Sequence, residues 1–121
     1  MGILLVEDDD DLRETIAVVL SFHGYAVDAV ANLADARRQL RETKPHVVVV
    51  DALLGGESAR ALLEDIVGLD EQARPPTLIV SGSPAAERLA HDFALPLLCK
   101  PFDVDQLIDH VERLRRMRAS I

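Results

Sequence analysis

Val47-Val48-Val49-Val50-Asp51 is the stretch on which the fold turns: four β-branched apolar residues in a row, ended by a carboxylate. A short apolar run bounded by turn residues reads as a strand buried on both faces, the kind found in parallel sheets. The same arrangement recurs on either side. Ile3-Leu4-Leu5-Val6 runs into the acidic pair Glu7-Asp8, Leu78-Ile79-Val80 into Ser81, and Leu97-Leu98-Cys99 into Lys100-Pro101. Laid side by side and pointing the same way, these strands share one carboxyl edge. Three carboxylates, a hydroxyl and an ammonium then meet in a single crevice.

Helical patterns fill the intervals. Leu12, Ile16, Val19 and Leu20 recur at helical spacing until Gly24 supplies a stop. Tyr25 to Val30, with Asp28 in its middle, reads as a weaker strand at a sheet edge. Asn32 and Asp35 resemble a capping pair opening a helix over Leu33 to Glu42, which Pro45 limits. Leu62, Leu63, Ile66 and Val67 mark a third helix, Ala85 to Asp92 a short fourth, and Val104, Leu107, Ile108, Val111 and Leu114 a clear fifth. The result is βαβαβαβαβα, which predicts a doubly wound parallel sheet with helices on both faces and right-handed crossovers. In such sheets ligands bind beyond the carboxyl ends of the strands, where the strand order reverses. A 2-1-3-4-5 order would set Glu7-Asp8 opposite Asp51.

Composition agrees. At 121 residues the chain suits one domain over 1–121, with 49% apolar and 28% charged residues. Aromatics are only 3%, so the core must come from Leu, Val, Ile and Ala. No apolar stretch nears the roughly 20 residues that span a bilayer, and the short apolar start runs straight into acids, unlike a signal peptide. The lone cysteine, Cys99, leaves no internal disulfide, which fits a cytoplasmic location. Cys99 itself is expected to be a small buried apolar residue. A formal charge of −8 argues against nucleic-acid binding, which needs a basic surface. Asp9, Asp10 and Asp11 complement the dipole of the first helix.

Three carboxylates in one cleft repel each other unless a cation neutralises them. A hard divalent ion such as Mg²⁺ is the natural partner, with about six oxygen ligands. His23, His46, His91 and His110 are scattered and form no zinc-type cluster. A metal there can bridge to phosphoryl oxygens while a carboxylate acts as nucleophile. Lys100 can pair with Asp51 or with the phosphoryl charge, and Ser81 can donate a hydrogen bond to it.

On these residues the chain resembles a response-regulator receiver domain of two-component signalling, along essentially its whole length. The family places an acidic pair after strand 1, a phosphoacceptor Asp at the end of strand 3, Ser or Thr after strand 4 and Lys-Pro after strand 5. Glu7-Asp8, Asp51, Ser81 and Lys100-Pro101-Phe102 fill those places. The resemblance implies a flavodoxin-like (βα)5 fold of the kind chemotaxis receivers have. It also implies phosphoryl transfer to Asp51 from the phosphohistidine of a histidine kinase or phosphotransfer protein. Mg²⁺ would be ligated by Asp8, Asp51 and the Leu53 backbone carbonyl, with Glu7 acting through water. A cis Lys100–Pro101 bond would aim the amine into the cleft. Output to a downstream protein or output domain would pass through the face of strand 4, helix 4, strand 5 and helix 5. The module would catalyse only its own phosphorylation and dephosphorylation.

Rival readings carry less. A haloacid-dehalogenase-type phosphatase also uses an Asp nucleophile, but in an Asp-x-Asp motif, and Asp51 is followed by Ala52-Leu53. A flavin carrier would find its phosphate repelled by the acidic loop after strand 1. A receiver acting as a phosphate sink is a further alternative. The departures from the family are specific: Gly55 stands where Pro is common, Ala59 where Gly is common, and Leu97 where many members carry a switch aromatic. Arg13 reads as a helix surface residue, and Arg113, Arg115, Arg116 and Arg118 as cations at a helix end.

Overall fold

The computed structural model describes residues 2–119. Five strands alternate with five helices: β1 (Gly2–Val6), α1 (Asp10–Phe22), β2 (Ala26–Val30), α2 (Leu33–Thr43), β3 (Val47–Asp51), α3 (Arg60–Val67), β4 (Thr77–Ser81), α4 (Ala85–Phe93), β5 (Leu97–Cys99) and α5 (Val104–Ala119). The sheet is wholly parallel, in the order β2-β1-β3-β4-β5. This is the flavodoxin-like arrangement, with the expected strand order.

The unbroken apolar runs follow from burial on both faces. Every residue of β3 and of β4 is buried. Leu4, Val6, Val48, Val50 and Ile79 point toward α2, α3 and α4, where Leu40, Leu62, Leu63 and Leu89 meet them. Ile3, Leu5, Val47, Val49 and Leu78 point the other way, onto Ile16 and Leu20 of α1 and Leu107 and Val111 of α5. The two-residue period of a strand thus divides one apolar run between two cores. Edge strand β2 keeps Asp28 in its middle and is the least buried of the five.

Local signals set the helix starts. The Asp9 carboxylate accepts from the Leu12 amide at 3.1 Å and caps α1, which begins two residues before its first apolar residue. Asn32 caps α2 through the Asp35 amide at 2.8 Å, and its own side-chain amide donates to the Asp35 carboxylate at 3.1 Å. Gln106 reaches back to the Asp103 amide at 2.9 Å, one half of a capping box opening α5.

Two features differ from expectation. The loop after Asp51 is a small antiparallel hairpin, pairing Leu53 with Ser58 and Leu54 with Glu57 across Gly55-Gly56. Both glycines have positive φ, 58° and 88°, as a two-residue turn of this hand demands. Cys99, expected to be buried, is exposed. It ends the three-residue edge strand β5, in which Leu98 alone is buried.

Candidate functional site

Register brings the site together. Val6 pairs with Val50, Asp51 with Val80 and Ser81 with Cys99, so the residues that follow β1, β4 and β5 emerge beside the end of β3. Glu7, Asp8 and Asp51 each offer a carboxylate oxygen, and these atoms all lie within 4.8 Å of one another. Such a set of hard oxygen donors could hold a metal ion, and its chemistry fits a divalent ion better than a soft one.

Each carboxylate is held differently. Glu7 is fully buried, and its two oxygens accept from Lys100 Nζ at 2.7 Å and from the Asp9 amide at 3.1 Å. Burial raises its pKa above the ordinary carboxylate value, against the opposing pull of Lys100. Asp51 is 6% exposed, with one oxygen 2.7 Å from Lys100 Nζ and the other accepting from the Leu53 amide at 3.1 Å. Asp8 is exposed and accepts from the Gly55 amide at 2.9 Å, the largest cause of its lowered pKa.

Lys100 bridges the two buried acids. Burial depresses its ammonium, but the hydrogen bonds to Asp51 and Glu7 outweigh that and leave the pKa raised. Its bond to Pro101 is cis, as expected, and the amine points into the cleft. Ser81 is 3% exposed, and its hydroxyl accepts from the Ser83 amide at 3.0 Å. Leu53 sits in the hairpin, 38% exposed. Leu97 is half-buried against the core on the α4 side of the sheet.

Two supporting groups were not legible in the sequence. Arg13, expected on the helix surface, donates to the Glu7 carbonyl at 2.9 Å and to Asp10 at 2.7 Å, pinning the β1–α1 loop. The Gly55 amide is the other, and a proline there could not have donated it. The Gly-Gly pair itself, a common two-residue hairpin turn, was the signal that could have found it.

Comparison with known proteins follows the same line. The sequence model described as "Response regulator receiver domain" matches residues 3–112. Regulatory protein VirG of Agrobacterium tumefaciens is 32% identical over 127 residues, covering 98% of this chain and 45% of its own length. The C4-dicarboxylate transport transcriptional regulatory protein DctD of Rhizobium meliloti is 29% identical, covering 99% of this chain and 26% of its own. The chain therefore spans less than half the length of these relatives. The solved receiver domain of HemR from Leptospira biflexa, in its non-phosphorylated form, superposes with a TM-score of 0.82 at 30% identity, covering 94% of this chain and 93% of that one. With the sheet order, the carboxylate cluster and a family match over nearly its whole length, the chain belongs to the response regulator receiver domain family.

Proposed function

We propose that residues 1–121 are a phosphoacceptor receiver domain in which Asp51 takes a phosphoryl group from the phosphohistidine of a histidine kinase or phosphotransfer protein. The observation that carries this reading is the Lys100 amine, 2.7 Å from both Glu7 and Asp51, beside a third carboxylate within reach of the same cation. Asp8, Asp51 and the Leu53 carbonyl would ligate Mg²⁺, with Glu7 acting through water. When bound, the ion would offset the charge of the transferring phosphoryl oxygens. The chain's own groups do the rest. Asp51 is the nucleophile, and the Leu53 amide holds its carboxylate in one orientation. Lys100 supplies a fixed positive charge where the phosphoryl group arrives. The Ser81 hydroxyl lies buried at the adjoining strand end, in position to donate to it.

This is group transfer onto the protein itself, not turnover of a separate substrate. The output is a change in the β4–α4–β5–α5 face, read by a downstream protein or an attached output domain. Among the described residues no helix is long and apolar enough to cross a membrane, which accords with the proposed cytoplasmic location. The −8 charge accords with a domain that does not itself bind nucleic acid.

Intact mass after incubation with acetyl phosphate tests the assignment. One added phosphoryl group is expected in the presence of Mg²⁺, with none in excess EDTA and none on an Asp51→Asn variant. Equal labelling of that variant would sink the reading.

A further inference from the structure

Helix α4 is tied to the phosphoacceptor region at both ends. Its N-terminal end rests on the strand end at Ser81: the Ser83 amide donates to the Ser81 hydroxyl at 3.0 Å, and the Ala85 amide to the Ser83 hydroxyl at 3.2 Å. The N-cap residue, Pro84, offers no side-chain cap, so the Ser81–Ser83 turn carries that end.

The C-terminal end is tied through a different element. From Asp51 the chain enters the hairpin, whose Gly55 amide is bonded to Asp8 at 2.9 Å. The hairpin closes where the Ala59 amide donates to the Ala52 carbonyl at 2.9 Å. Arg60 follows as the first residue of α3, its amide on the Ser58 hydroxyl at 3.1 Å. The Arg60 side chain then leaves its helix. Its guanidinium bonds Asp92 at 2.7 Å and lies 5.3 Å above the Phe93 ring. Asp92 and Phe93 are the last two residues of α4. The Arg60 hydrogen bond is also the largest reason that the Asp92 carboxyl lies below its ordinary range. Arg88 binds the other Asp92 oxygen at 3.2 Å, but from within α4 itself.

We propose that Arg60 is a latch coupling the hairpin after Asp51 to the C-terminal end of α4, so that phosphorylation repositions α4 from both ends. This rests on the reading of Asp51 as phosphoacceptor. The physical requirement is that the two states differ in the latch contacts, since a ligand shifts an equilibrium only through differential interaction. A cation held by Asp8 and Asp51, and a phosphoryl group bonded to Asp51, would draw on the carboxylate oxygens that now accept from the Gly55 and Leu53 amides. They therefore act on the hairpin directly, and Arg60 stands at its far end. With Leu97 in place of an aromatic on β5, this route does not depend on a ring moving inward.

Amide NMR with and without beryllofluoride and Mg²⁺ tests the latch on wild type, Arg60→Gln, Asp92→Asn and Arg88→Gln. In wild type, residues 81–83 and 89–94 should both shift. In Arg60→Gln and Asp92→Asn the shifts at 89–94 should fall below half, while those at 81–83 persist. Arg88→Gln should match wild type, because its pair lies within one helix. Should Arg60→Gln fail to fold, Asp92→Asn interrogates the same pair from the other side. Unchanged shifts at 89–94 in both variants, no wild-type response there, or an equal loss in Arg88→Gln would overturn the latch. Absence of any wild-type shift at residues 8 and 51–53 would refute the phosphoacceptor reading, and the latch with it.

Discussion

Lys100 is the residue on which the charge balance of the cleft depends. Glu7 is fully buried and Asp51 nearly so, and one ammonium serves both at 2.7 Å. Removing one partner of a buried pair strands the other charges, at a cost of about 3–5 kcal/mol when burial is complete. Lys100 retains 24% side-chain exposure, so the expected loss for Lys100→Met is smaller, about 2–3 kcal/mol. Urea denaturation reads it. Millimolar Mg²⁺ should recover part of the loss, because a second cation can take over the neutralisation. A variant as stable as wild type would show that the bridge contributes nothing to the fold. The contrast with Arg13 is instructive: its guanidinium holds a backbone carbonyl, fixing where Glu7 sits and not its charge.

At the scale of elements, long-range side-chain pairs decide how helices lie on the sheet. Arg37 on α2 grips Asp65 on α3 through two hydrogen bonds, at 2.6 and 3.1 Å. On the opposite face Tyr25, just before β2, donates to Glu112 on α5 at 2.5 Å, and Arg115 holds the same carboxylate. Burial first, then the hydrogen bond to Glu112, raises the Tyr25 pKa above 10.0. The folded state thus keeps a proton that the unfolded chain releases near 10. That contribution to stability is complete below about pH 10 and is lost as pH rises through the folded value. The chain has one tyrosine and no tryptophan, so phenolate absorbance reports this group alone. A spectrophotometric midpoint above 10 is expected in the native protein; one at or below 10 would contradict the burial. Tyr25→Phe should cost about 1 kcal/mol at neutral pH by freeing the α5 end of the pair.

For the molecule as a whole, three carboxylates with oxygens within 4.8 Å of one another repel, and a bound cation would relieve that repulsion. A ligand that binds only the native state stabilises it by about 2.7 kcal/mol at a hundred times its Kd. For a domain of this size that is a rise in Tm of about 8–15 °C. Calorimetry should show the rise with Mg²⁺ and its near-abolition in Asp8→Asn, whose exposed position makes misfolding a poor explanation. An equal rise in that variant would place the metal elsewhere.

The four positions that meet in the cleft were legible because each follows an apolar run, and the alternation of runs with helical stripes admits few topologies. Val47 to Val50 announced a strand buried on both faces, and Asp51 the strand end that meets Glu7 and Asp8. Capping by Asn32 was legible too, being local hydrogen-bond chemistry between neighbours in the chain, whereas Asp9 was read only as an acid complementing the helix dipole. What the sequence alone left open depends on contacts between distant residues or on position within the sheet. Cys99 looked apolar and buried, yet β5 is a short edge strand in which only Leu98 is buried and Leu97 half-buried. The hairpin at Gly55-Gly56 is local, but its amide on Asp8 spans 47 positions of sequence. Arg60 and Asp92, 32 positions apart, meet only because α3 and α4 pack on the same face. Hydrophobic periodicity determines which side of an element is buried; which long side chains then meet across elements is decided by how the packed helices lie, and that is a property of the tertiary structure.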